Sequence, residues 1–145
     1  MSRRQSIVKS LAEALKVIDG TASYKSNIYN NSYPKLEFWD SVQDFPSVYL
    51  SAGTELREYM PGSFTWGFLG VSIKLYTRGE NCADQLEDLI DDVERVIDAN
   101  REMVYDTVNQ YCITDITIQS ITTDEGLLAP YGVGEINLQV RYALM

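Results

Sequence analysis

The 145-residue chain is 45% hydrophobic and 23% charged. A chain of that length buries roughly 70% of its unfolded surface, enough for a core of its own, so one domain over residues 1–145 is expected. Twelve Lys and Arg stand against 21 Asp and Glu, a net charge of −9, which excludes a protein that grips nucleic-acid phosphates but not one past which DNA slides. Histidine is absent, and with it the commonest general base, metal ligand and pH switch.

The N-terminus, MSRRQSIVKSLAEALKVI, carries Ile7, Val8, Leu11, Ala14, Leu15 and Ile18 at helical spacing. It predicts an amphipathic helix over 4–18, stopped near Gly20, rather than a signal peptide, because Glu13 and Lys16 interrupt the apolar run. No stretch approaches the roughly 18 apolar residues of a membrane span. Residues 21–46 scatter Tyr24, Tyr29, Tyr33, Phe38, Trp39 and Phe45 through Asn, Ser and Pro. They read as a long excursion of the kind that carries contacts to partners, with a short strand at 24–28 and turns at Asn30-Asn31 and Tyr33-Pro34.

Val48-Tyr49-Leu50 predicts a buried strand. A hairpin follows, with limbs at 55–59 and 64–77 joined through Pro61-Gly62, the pair that suits a tight turn. Gly67 and Gly70 place a bend or bulge in the second limb, so the hairpin is expected to project beyond the sheet. Residues 82–99 set Leu86, Leu89, Ile90, Val93, Val96 and Ile97 on one helical stripe. Asn81 is the expected N-cap and Asn100 the stop. Strands at 113–121 and around Ile136, Leu138, Val140 and Tyr142 close the chain. The order predicts an α+β fold: a mostly antiparallel sheet, two amphipathic helices packed on one face, and a projecting β-hairpin.

No constellation carries chemistry. Glu87, Asp88, Asp91, Asp92, Glu94 and Asp98 fall opposite the apolar stripe of the second helix. Carboxylates on one helix face read as a solvated or lumen-facing surface rather than a metal site, which draws ligands from several segments. Gly132 and Gly134 lead into a strand and Glu135 instead of a helix, so they are turn or bulge glycines and not a phosphate loop. Cys82 and Cys112 lack a C-x-x-C spacing and any activating histidine; they read as reduced thiols, Cys112 as a buried one. No catalytic group, cofactor or metal is expected. Tyr and Trp favour interfaces, and the surface candidates for subunit or partner contact are Tyr29, Tyr33, Trp39, Arg57, Tyr59, Pro61, Phe64 and Trp66.

The sequence FPSVYLSAGTELREYMPG runs into a long strand ending KLYTRGE, then an acidic amphipathic helix, a strand, and PYGVGEINLQVRY. Over residues 5–143 this order resembles the tail terminator, or tail completion, proteins of long-tailed bacteriophages. The resemblance implies helices on a sheet and assembly into a hexameric ring. That ring would cap the tail tube, stop its polymerisation and join the head connector or stopper protein, while genomic DNA passes through without specific binding. It also implies a place in the tail or neck of a virion, assembled in the host cytoplasm without a membrane, and no enzymatic activity. Alternatives are another neck or head–tail connector protein, the terminator of a contractile tail that touches the sheath, or a small-ligand-binding α+β module with 24–46 as pocket lining.

Overall fold

A computed structural model describes residues 2–21 and 23–144. In chain order the elements are α1 (Arg3–Leu15), β1 (Ser32–Tyr33), β2 (Ser47–Met60), β3 (Phe64–Arg78), α2 (Cys82–Ala99), β4 (Val104–Asp106), β5 (Tyr111–Thr123) and β6 (Tyr131–Leu144). The strands form one sheet in the order β1-β2-β3-β6-β5-β4. All neighbours are antiparallel except β1 with β2. The expected α+β class holds, and no helix among the described residues is long and apolar enough to cross a membrane.

The first helix begins on a capping box in which the Ser2 side chain accepts from Gln5 N–H and the Gln5 side chain accepts from Ser2 N–H. It ends at Leu15, earlier than the apolar repeat predicts. Residues 16–18 tighten into bonds spanning three residues. Ile18 therefore still reaches the core before Gly20 turns the chain at φ 80°. The second helix matches its predicted span. Asn81 gives it no side-chain cap, but Asp84 puts a negative charge in its first turn. At its other end Asn100 Nδ2 donates to Val96 C=O at 2.7 Å.

β3 and β6 pair from Thr65↔Leu144 to Arg78↔Tyr131 with no shift of register. Strict alternation follows. Leu69, Val71, Ile73 and Leu75 of β3 and Ile136, Leu138, Val140 and Tyr142 of β6 share one buried face with the stripes of both helices. The predicted strand at 48–50 and hairpin limb at 55–59 are one continuous strand, β2. A bulge between Ala52 and Glu55 interrupts its register with β3. The expected bend at Gly67 and Gly70 is thus a bulge in the partner strand. Gly70 lies opposite it, where a Cβ would meet Thr54 C=O at 3.2 Å, and Gly67 makes room for the Tyr142 ring. Gly132 and Gly134 are not turn or bulge glycines either. They lie in the regular ladder of β6, where α2 approaches the sheet through Cys82 and Leu86.

The start of α1 is tied to both parts of the hairpin: Arg4 donates to Gly53 C=O at the bulge, and Arg3 Nη1 to C=O of Ala143, the partner of Trp66, at 3.0 Å. β6 flanks the hairpin as far as Thr65↔Leu144, and the turn at 60–64 lies beyond that last pair. This turn holds Gly62 and Ser63 at φ 82° and 62°. A Cβ on Gly132 would fall 2.3 Å from Thr77 Oγ1 and 2.8 Å from the Cys82 carbonyl. Backbone cannot yield as a flexible side chain does, so Gly132→Ala is expected to cost about 2 kcal/mol, read as a lowered urea midpoint.

Candidate functional site

The face of the sheet turned away from the helices divides into three zones. At the hairpin end, β3 alternation brings Phe64, Trp66 and Phe68 to this face, and pairing sets Met60, Glu58 and Leu56 beside them. Phe64 meets Trp66 edge-on at 4.8 Å, and the Arg141 guanidinium lies 4.7 Å over the Trp66 ring. Leu56 is 64% exposed and Met60 is also open to solvent, so five apolar side chains form a surface patch that no helix covers.

The middle zone is polar. Ser72 Oγ donates to Asn137 Oδ1, and Asn137 Nδ2 donates to Ser120 Oγ, each at 3.0 Å. Lys74 and Glu135 pair at 3.0 Å. At the far end, residues 34–46 form a strap over Tyr49, Tyr76 and Val133. Tyr33 packs on Tyr49 at 5.0 Å, Trp39 and Phe45 pack on Tyr131 at 5.5 and 5.8 Å, and the Tyr76 hydroxyl donates to Glu37 C=O. Burial, followed by the negative charge of nearby groups, pushes the Tyr76 phenol up to about 12.

The helix side of the hairpin is charged. Glu55 holds Arg57 at 2.7 Å and accepts from the Tyr142 hydroxyl. Burial first, and then this carboxylate, raise the Tyr142 pKa well above the ordinary phenol value. Tyr59 stands 76% exposed on this side.

On α2, Glu87, Asp88 and Asp98 are exposed. Asp91 pairs with Lys25 at 2.9 Å. Burial, with the charges of Asp91 and Asp98, raises the Glu94 pKa. Arg95 donates to Ser23 and lies 5.3 Å over the Tyr24 ring. Among the described residues no group of three or more His, Cys, Asp and Glu is disposed to hold a metal ion.

A family model described as Bacteriophage Tail Tube Terminator Protein matches residues 1–145. The chain belongs to this family. It is 37% identical over 153 aligned residues to the tail tube terminator protein p142 of Escherichia phage T5, spanning 98% of this chain and 94% of that protein. A chain from the virion of a native gene transfer agent particle shares the fold, with a TM-score of 0.56 at 14% identity over 97% of this chain and 94% of that one. Membership makes the protein a structural component of the phage tail.

In this tail terminator the predicted contact residues do not form one surface. Phe64 and Trp66 share the open-face patch with Pro61 at its tip, whereas Arg57 and Tyr59 point to the helix side. Tyr33 is half-buried under the strap and Trp39 is spent largely on Tyr131. Tyr29 stays exposed, at positive φ. Leu56, Met60 and Phe68 join the patch without a sequence signal of their own, since their alternation is visible only once β2 is joined across Gly53.

Cys112 and Asp92 depart from the sequence expectation. Cys112 is exposed, with only Cys82 buried, and both are free thiols. Asp92 is not on the solvent or lumen face: it is 0% exposed. Its carboxylate accepts from Lys25 N–H at 3.1 and 3.0 Å and from Ser26 N–H at 2.7 Å. The signal was present, since Asp92 falls three residues after Leu89 and four before Val96, on the apolar stripe.

Asp92→Ala removes a buried acceptor from two part-buried backbone N–H groups and is expected to destabilise the fold by about 2 kcal/mol in urea titration. Tyr76 stays protonated in the folded state above the ordinary phenol pKa. Its contribution to stability is therefore complete below about pH 10 and lost as pH rises toward about 12. Ultraviolet titration should show Tyr76 and Tyr142 ionising after the exposed tyrosines.

Proposed function

We propose that the chain, as a single domain, works by shape and self-association. Copies close into a hexameric ring on the last ring of tail-tube subunits, halt polymerisation and present the joint to the head connector or stopper protein. No catalysis is involved. The ring would take its place in the neck of the virion after assembly in the host cytoplasm. Family membership over the whole chain supports the terminator part of this reading. The observation that carries the contact is the apolar hairpin patch of Leu56, Met60, Phe64, Trp66 and Phe68, which lies on the sheet face away from the helices and has no partner within the described chain.

A surface of this composition is costly in water unless another protein covers it, and the tube end is the occupant proposed here. The net charge of −9 and the exposed acids of α2 would keep DNA from adhering as it passes.

Negative-stain microscopy of the protein mixed with tail tubes should show a cap at one tube end, and a phage lacking the gene should make overlong tails. Tubes of normal length in that phage would overturn the proposal. Leu56→Asp, at an exposed position, should leave the melting temperature within a few degrees and lower capping by about tenfold or more, as for loss of a central interface contact. Undiminished capping would move the tube contact elsewhere.

A further inference from the structure

Both edges of the sheet are half covered. β1 pairs with β2 only at Val48 and Tyr49, and among the described residues no strand lies outside Ser51–Met60. β4 pairs with β5 only at Tyr111 and Cys112, which leaves residues 114–123 open on that side. Bonds at the covered ends show which way the backbone points: Val48 N–H donates outward to Asn31, and Ile113 N–H outward to Met103. Backbone groups of an antiparallel ladder alternate between partner and edge. Carried through the bulges, that alternation aims the N–H and C=O of Glu55, Arg57 and Tyr59 outward on β2, and those of Ile116, Ile118 and Ile121 outward on β5. Ile116 N–H is taken by the Asp115 carboxylate at 2.9 Å, so Ile118 and Ile121 carry the open donors of that edge.

Open edges of this kind template a further strand, and proteins that must stay apart blunt them with lysine, proline, other charges or bulges. Both edges here carry bulges, and Glu55, Arg57, Glu58 and Asp115 lie on them; the charges of β2 are of both signs and Glu55 holds Arg57 itself. Neither 51–60 nor 114–123 contains lysine or proline. The two stretches also match each other. Three antiparallel pairings separate β2 from β5, so β2 of one copy runs antiparallel to β5 of a second copy in the same orientation. The exposed apolar side chains beside them, Tyr59 and the 42%-exposed Ile121, lie on the same helix-side face. We infer that copies associate head to tail by adding the free edge of β2 in one to the free edge of β5 in the next, so that the sheet continues from copy to copy.

This rests on the ring proposed above and supplies its subunit contact. Two different edges make a heterologous interface, the kind that closes by rotation, and strand tilt in a closed sheet takes up the offset between them. β1 and β4 block the remaining half of each edge and limit how far the strands slide.

The test uses the full chain in a Cys112→Ser background. Arg57→Cys protein is mixed with Ile118→Cys or Ile121→Cys protein on tube ends and treated with a short bis-maleimide. A cross-linked dimer is expected from the mixtures and from no single variant alone, since a self-paired edge would link one variant to itself. Ile121→Lys should melt like the parent yet form neither rings nor caps. Rings or caps without the β2–β5 cross-link, or unimpaired assembly of Ile121→Lys, would overturn the edge pairing and leave the ring standing. A parent protein that forms neither rings nor caps would remove both.

Discussion

Fourteen consecutive residue pairs join β3 to β6 without a shift of register, and in a ladder of that length each side chain is committed to one face. Slipping by one residue would turn Leu69, Val71, Ile73 and Leu75 into water and bring Lys74 and Tyr76 against the helices. The helices add no register of their own. Each carries an apolar stripe that fits wherever the central strands present theirs, and Gly132 and Gly134 let α2 come close over β6. The faces of β2 and β5 are inherited from this pair, with bulges at Gly53–Thr54, near Thr114 and near Gln119 correcting the alternation.

That inheritance explains what the sequence discloses. Both helices and the final strand are plain, because their apolar period runs unbroken: Leu86 to Ile97 at helical spacing, Ile136 to Tyr142 at every second residue. β2 is concealed. Its buried end and exposed end have different compositions, and the bulge exchanges the faces midway, so one strand reads as two elements. β1 and β4 are short and pair at only two positions each, too little for a period to show. The site suffers the same limits. Phe64 and Trp66 stand out as aromatics, but Leu56, Met60 and Phe68 acquire meaning only from cross-strand neighbours. Asp92 is hard to place from sequence because its residue type groups it with the acids beside it, while its position puts it on the apolar stripe.

The open face is graded along its length. Aromatic packing under the strap closes one end, a hydrogen-bonded ladder of Ser72, Asn137 and Ser120 keeps the middle wet, and the hairpin end leaves apolar rings uncovered. The same six strands thus carry a finished surface and an unfinished one, both on the face away from the helices.

The Asp92 clamp bears on how the chain can diverge. Its partners are the main-chain N–H groups of residues 25 and 26, which every amino acid except proline supplies. The clamp makes no demand on the side chains at these two positions, whose one ion pair, Lys25 with Asp91, is with a different carboxylate. A tether of this sort leaves no correlated substitutions behind, so comparing relatives would show a lone constant acid on α2 and a variable loop, with nothing to connect them but the fold.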